Sequence, residues 1–570
     1  MNKRTFKMKL LRFAGRTQRM FQKNARFIAA FFLLNYITMA WSLLNADKIE
    51  VGIGYGFTLL LGSVCVTALL QLFYNPVLKR LAKTVLLLVS AVPFAIEFFA
   101  MYNYKALIGA GIVNSMLETN SREAVEFLNM YLGLPELGAL LGIVAVIIGY
   151  RRFRFGSRLQ LSRRAQTRVV FTLLGVCVVY SVRMFTVYTS FFWEDLLPLQ
   201  RTYASAQVAV KNLEAYHKLS SKLSSDIQLT ENNGKIKNIV FILGESTNRN
   251  HMHLYGYPIP NTPNFDAMQQ KGEISVFRDC ISPHSTTIAV LSKLFTFCDH
   301  ESDKDWYEYN NLIDVMNTAG YKTHWLSNQE SSGIWGNVAQ IYAEHSTQHA
   351  FTRIRDSRED YGILDEELFP LVDKAIAERS EKNFYVVHLM GGHGLYYNRF
   401  PYIFSKFNKD DVKLPIADEK REVIAQYDNA LYYNDYIVSG IIDKFRDEET
   451  LVIYVPDHGE AVYDEGGFAG HIEENPSRHM IEVPVIMWAS DKFKAKYPEK
   501  WAAVQASVNR PYMTDDMIHT VLDLSDIHTA EFDPAKSIVN DKFDASRKRI
   551  FNDLDYDTQI RTGNIPPEEQ

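Results

Sequence analysis

The chain has 570 residues and a formal net charge of -5, so it is too long for one core and its balance gives no general case for nucleic-acid binding. Mean hydropathy of only -0.14 excludes a chain that is membrane throughout. Its basic residues concentrate in the first third, which sets that third apart.

Residues 1–26 carry Lys3, Arg4, Lys7, Lys9 and further basic residues without an acid. Five apolar segments follow, at roughly 27–44, 53–73, 84–102, 133–150 and 169–187, each near the ~20 residues that cross a hydrocarbon core. The connection holding Lys79, Arg80 and Lys83 and the one holding Arg151, Arg152 and Arg154 are basic. The alternate connections are mixed or acidic. That alternation predicts a cytoplasmic N-terminus and an exit from the fifth span on the outer side. The first span is full length and lacks a clean small-residue cleavage site, so it reads as an anchor rather than a signal peptide. Glu97, inside the third segment, requires a partner or the interface. Arg183 reads as a snorkelling residue near the exit of the fifth.

Residues 188–235 begin with Phe191-Phe-Trp193 and continue as a charged amphipathic stretch, the pattern of interfacial linker helices. From residue 236 to 570 short apolar runs alternate with helical ones. Strands are expected at Asn238–Leu243, Tyr321–Leu326, Phe384–Leu389, Thr450–Val455 and Val483–Trp488, with helices at Asp365–Arg379 and Asp428–Phe445. This predicts an α/β domain with a mainly parallel sheet covered on both faces. The charged tail after about Asp541 is expected to be partly disordered.

Two of these strands end in acidic or imidazole-bearing turns, Gly244-Glu-Ser-Thr247 and Asp457-His-Gly-Glu460. Ligands of open α/β sheets sit at such strand ends. Glu245, Asp457 and His458 would supply three zinc ligands, leaving a fourth position for the reacting group. Ser285-Thr-Thr287 opens a helical run and offers hydroxyls, either as caps or as a nucleophile activated by the metal. The helix N-terminus adds N–H groups suited to a phosphoryl group. His393 and His471 lie on glycine-flanked strand-end loops and could hold phosphoryl oxygens, move protons or bind a second metal, with Glu460 orienting from behind; His388 reads as packed. Cys280 and Cys298 flank the Ser-Thr-Thr helix; if that region lies outside the cytoplasm, a bond between them would pin it.

Taken together, Val240-Phe-Ile-Leu-Gly-Glu-Ser-Thr247, Ser285-Thr-Thr-Ile-Ala289, His388-Leu-Met-Gly-Gly-His-Gly394, Tyr427-Asp-Asn-Ala-Leu-Tyr-Tyr-Asn-Asp435 and Asp457-His-Gly-Glu460 through His471 resemble the membrane-bound phosphoethanolamine transferases of Gram-negative bacteria, in the alkaline phosphatase/sulfatase superfamily. The resemblance covers nearly the whole chain. It implies a five-helix transmembrane domain in the inner membrane and a periplasmic, zinc-dependent α/β domain of alkaline-phosphatase/sulfatase type. The implied zinc ligands are Glu245, Thr287, Asp457 and His458, with Thr287 as nucleophile and His393 and His471 near the phosphate. Asn328 matches a headgroup contact, and Thr119 and Glu123 an outer-loop headgroup motif. The implied reaction moves phosphoethanolamine from phosphatidylethanolamine to lipopolysaccharide, lipid A or a periplasmic glucan through a phospho-threonine, releasing diacylglycerol. Only two cysteines are available to the soluble region, and the Lys found shortly after the equivalent of Asn328 has no counterpart; both departures point to a core sugar or glucan acceptor. The competing readings are a phosphoglycerol transferase of the lipoteichoic-acid-synthase type and a non-catalytic membrane scaffold.

Overall fold

The computed structural model describes residues 3–45, 48–118, 138, 141–142, 144–145, 163–187, 197–221, 227–330, 338–353, 363–464 and 467–563. These form two compact units, one made of the N-terminal helices to Val208 and one of most of the remainder.

In the first unit, helices α1 (Lys3–Asn45), α2 (Ile49–Leu70) and α3 (Pro76–Asn103) each contain a stretch long and apolar enough to cross a membrane. They cover the first three expected segments. The segment at 169–187 lies in α4 (Arg163–Val187), whose uninterrupted apolar part, Leu174–Arg183, is shorter. Most of 133–150 lies outside the described residues, as do Phe191–Trp193. Helix α5 (Pro198–Ser221) follows. Its Arg201 supplies Glu97 with the partner that a buried acid demands: Nε and Nη2 each donate to the carboxylate at 2.7 Å. The Thr38 hydroxyl donates to the same carboxylate. Glu97 is therefore a tie between α1, α3 and α5. Arg183 instead pairs with Glu50 at 2.6 Å, both largely exposed.

The second unit is built on a seven-stranded sheet. Its strands are β1 (Asn238–Gly244), β2 (Ile274–Phe277), β3 (Lys322–Glu330), β4 (Gln348–Arg353), β5 (Asn383–His388), β6 (Thr450–Pro456) and β7 (Val485–Ala489). The order is β2-β7-β6-β1-β5-β3-β4. From β6 to β4 all pairings are parallel, while β7 runs antiparallel to both its neighbours. The continuous apolar runs of β1, β5 and β6 follow from burial on both faces. In β1, Ile239, Phe241 and Leu243 point into one core and Val240 and Ile242 into the other, the two-residue period of a strand. The five expected strands form with ends shifted by one to a few residues. The edge strands β2 and β4 were not anticipated; four and six residues long, they carry too little apolar pattern to stand out.

The tail departs from expectation. Ile550–Phe551 pairs with Leu554–Asp555, and Arg549 is only 3% exposed, held by Asp279 at 2.9 Å and Asp557 at 2.5 Å. Charge read as solvation is here a set of internal ion pairs.

Candidate active site

The sheet register brings the two strand-end turns together. Gly244 of β1 lies opposite Pro456 of β6, so Glu245 and Asp457 leave adjacent strands side by side. Ser246 joins them: its N–H donates to Asp457 Oδ1 at 3.1 Å and its hydroxyl to Glu245 Oε1 at 2.7 Å. Ser246 has φ of 51°, a left-handed conformation costly for a residue with a Cβ. The Tyr427 hydroxyl stabilises it by donating to Ser246 O at 2.8 Å, while accepting from Asn248 N at 2.9 Å. Tyr427 belongs to helix α7 (Asp418–Lys444), longer at its start than the sequence pattern predicts.

His458 Nδ1 faces its neighbour's carbonyl, Gly459 O, at 2.8 Å. Nδ1 therefore carries the proton, and the Nε2 lone pair points at the carboxylates, 3.4 Å from Asp457 Oδ2 and 3.6 Å from Glu245 Oε1. Burial lowers the His458 pKa, which keeps that lone pair available. Thr287 arrives from a third part of the chain, as the first residue of helix α6 (Thr287–Leu294). Its hydroxyl donates to Glu245 Oε2 at 3.3 Å and lies 3.4 Å from His458 Nε2. Thr287 is half-buried, so its oxygen can be approached, whereas Glu245, Asp457 and His458 are at most 1% exposed.

The electrostatics of this cluster are unbalanced. Among the described residues no Lys or Arg pairs with Glu245 or Asp457, and Asp457 Oδ2, fully buried, has no hydrogen-bond partner. Burial and the neighbouring Asp457 push the Glu245 pKa well above the usual carboxylate range. Two carboxylates, a neutral imidazole and a hydroxyl converging on one point, with an orphaned oxygen among them, fit a bound divalent cation; O and N donors of this kind suit Zn²⁺.

Around this point lie the other histidines. The His471 ring is 4.1 Å from that of His458, centroid to centroid, and 6.4 Å from that of His393. His471 Nδ1 is 2.7 Å from Glu460 Oε2, and Glu460 Oε1 accepts from Tyr396 at 2.6 Å, so Glu460 orients the imidazole. Burial alone would lower the His471 pKa, but the Glu460 carboxylate raises it. The loop bearing His393 presses on the Glu245 backbone: Gly391 has φ of 47°, and a Cβ there would meet Glu245 O at 2.6 Å. Arg399 holds the same loop through His393 O at 2.7 Å and Gly394 O at 2.7 Å. His388 is packed, edge-on to Trp325.

Three expectations need revision. Cys280 and Cys298 are separate buried thiols, not a disulfide. Cys280 sits in the strand Asp279–Ile281 within the core, while Cys298 lies past the helix with its Sγ 3.9 Å from Asp299 O. Burial pushes the Cys280 thiol up to about 12. Asn328 is fully buried, and its amide is engaged internally: Nδ2 donates to Asp365 Oδ1 at 2.7 Å and Oδ1 accepts from the Thr352 hydroxyl. It thus acts on the site from behind, because Asp365 also accepts from Met390 N at 2.8 Å and Gly391 N at 3.0 Å. Ser285 and Thr286 do not cap the helix that Thr287 opens; Thr286 stands at the cap position without a side-chain cap bond. Thr119 and Glu123 lie outside the described residues. The sequence reading missed Asp365, Glu473 and the role of Tyr427; only Tyr427, in a helix unusually rich in Tyr, Asn and Asp, left a signal.

Residues 237–527 match the family model described as Sulfatase, and residues 63–205 the one described as Phosphoethanolamine transferase EptA/EptB. The phosphoethanolamine transferase CptA of Salmonella typhimurium is 29% identical over 496 residues, covering 81% of this chain and 84% of the relative. The zinc complex of the C-terminal periplasmic domain of EptC from Escherichia coli superposes with a TM-score of 0.55 at 29% identity, covering 58% of this chain and 96% of that one. The integral membrane lipooligosaccharide phosphoethanolamine transferase A of Neisseria meningitidis shares the fold, with a TM-score of 0.65 at 20% identity over 90% of this chain and 97% of that one.

Proposed function

The chain belongs to the sulfatase family, and from that premise we propose that it transfers phosphoethanolamine from phosphatidylethanolamine to an envelope glycolipid or glycan. The acceptor class is a lipopolysaccharide core, lipid A or a periplasmic glucan. The observation that carries the reading is the meeting of Thr287 Oγ1 with Glu245 and His458 at 3.3 and 3.4 Å, at a helix start, beside two carboxylates with which no Lys or Arg among the described residues pairs. The match of residues 63–205 to the EptA/EptB model and the similarity to CptA supply the headgroup.

In this mechanism Thr287 Oγ, its hydroxyl proton given up to solvent, attacks phosphorus as the bond from phosphorus to the diacylglycerol oxygen breaks. His471, whose raised pKa favours its protonated form, gives a proton to that leaving oxygen. An acceptor oxygen then attacks the phospho-threonine, the bond to Thr287 Oγ breaks, and His393 takes the acceptor's proton. Glu245, Asp457, His458 and Thr287 would hold a Zn²⁺, which when bound supplies the positive charge that favours the alkoxide over the alcohol. The helix N-terminus contributes N–H groups toward the phosphoryl oxygens. The reading includes five spans to residue 187, with the N-terminus cytoplasmic, an interfacial segment over 188–235 and a periplasmic domain over 236–570, in the bacterial inner membrane. Thr119 and Glu123 belong to it as headgroup contacts.

The test is donor turnover. Full-length protein in vesicles of headgroup-labelled phosphatidylethanolamine should release diacylglycerol and label a lipopolysaccharide or glucan acceptor. Turnover of phosphatidylglycerol instead would replace this reading with a phosphoglycerol transferase, and no turnover of either lipid would favour a scaffold.

A further inference from the structure

The helix that presents Thr287 starts without its own cap. Thr286 occupies the cap position but makes no side-chain cap bond, and Ser285 Oγ, fully buried, has no hydrogen-bond partner. The turn is held by another segment. Glu473, two residues past His471, points a side chain only 12% exposed at the three residues ahead of Thr287. Its Oε1 accepts from Ser285 N at 2.7 Å and from the Thr286 hydroxyl at 3.2 Å, and its Oε2 lies 3.3 Å from His284 Nδ1. The Glu473 backbone is itself held, since Asn552 Nδ2 donates to Glu473 O at 3.0 Å.

We propose that Glu473 is a positioning residue for the transfer: it fixes the Ser285–Thr286 turn so that Thr287 Oγ1 is presented to Glu245 and His458. Glu473 lies two residues past His471, so the turn that presents Thr287 is tied to the segment that carries that imidazole. A side-chain rotation at Thr287 would take Oγ1 out of line, and in-line displacement is sensitive to misplacements of about 1 Å. Glu473 touches neither Glu245, Asp457 nor His458 through any hydrogen bond among the described residues, so it acts through the turn. This inference rests on the reading of Thr287 as the nucleophile.

The test uses full-length protein in phosphatidylethanolamine bilayers, with Glu473→Ala and Glu473→Gln. Glu473→Ala should lower kcat by about thirtyfold or more while the donor KM stays within about twofold, with zinc content retained. Glu473→Gln keeps an oxygen for Ser285 N–H and Thr286 and should stay within about tenfold of wild type. Wild-type kcat in Glu473→Ala, a Gln variant as impaired as the Ala variant, or a loss explained by lost zinc would each overturn the proposal. If Glu473→Ala does not fold, the Gln variant decides by the same tenfold mark. If wild-type protein turns over no donor lipid, the donor assignment fails, and deuterium exchange of the 284–287 segment decides for Glu473. Faster exchange in Ala but not Gln supports it, and unchanged exchange in Ala overturns it.

Discussion

Two clusters of buried acids in the second unit differ in whether basic side chains meet them. Near the C-terminus, Asp515, Asp516 and Asp299 surround Arg547 and Lys536: Arg547 reaches Asp515 at 2.9 Å and Asp516 at 2.8 Å, and Lys536 pairs with Asp299. Burial would raise the Asp515 pKa, but Arg547 and His300 hold it well below the usual range, while burial and the Asp515 charge leave Asp516 raised. At the strand ends, Glu245 and Asp457 are equally buried, and no guanidinium or ammonium among the described residues answers them. The cost of burying an uncompensated carboxylate is several kcal/mol. A fold that gives one group of buried acids two basic side chains and gives Glu245 and Asp457 none among the described residues supports the proposal that the second place takes a cation from outside.

That contrast can be broken most forcefully at the hydroxyl the unbalanced cluster surrounds. Thr287→Ala should reduce transfer by about a thousandfold or more, measured as labelled headgroup delivered to acceptor, with the melting temperature little changed. Retained turnover would detach the cluster from catalysis. The cluster with basic partners should respond the other way: Arg547→Met takes the guanidinium from Asp515 and Asp516 and should cost about 4 kcal/mol in denaturant unfolding. Zinc content per folded protein should not change.

A third site sharpens the comparison because its cation is titratable. His251 lies between Asp464, at 2.8 Å, and Asp428, at 3.6 Å. Burial opposes its charge, but the two carboxylates raise its pKa to about 9. A folded-state pKa above the unfolded value of about 6.5 gives stability that is complete below pH 6.5 and lost as pH rises through about 9. This contribution is on the order of 3 kcal/mol. Unfolding free energies between pH 6 and 9.5 should fall by that order for the wild type and less for His251→Gln. The smallest effect belongs to the strand-end site without metal: after chelation, Asp457→Asn should raise stability by about 1 kcal/mol through relief of like-charge repulsion, while weakening zinc binding. A loss of stability in the chelated variant would mean that the two acids are compensated.

The sequence revealed the parts of this site that the sheet itself positions. Glu245 and Asp457 end continuous apolar runs, and such runs are conspicuous because β1 and β6 are buried on both faces. Thr287 was legible as a helix start. Glu473 was not, since an acid in the run His471-Ile-Glu-Glu-Asn-Pro476 has the composition of a solvated loop, and only tertiary contact with Ser285 N–H gives it a role. Asn328 was placed by resemblance at a headgroup, whereas Asp365 and Thr352 claim its amide. The tail looked disordered because its arginines find their acids across long sequence separations, as Arg549 does with Asp279.

The most direct measurement is the mass of the peptide containing Thr287 after brief exposure of full-length, zinc-loaded protein to phosphatidylethanolamine and rapid acid quench. One added phosphoethanolamine group is expected on Thr287, formed before acceptor is supplied and discharged once it is. An adduct on any other residue, or acceptor modification with Thr287 never occupied, would contradict Thr287 as the nucleophile.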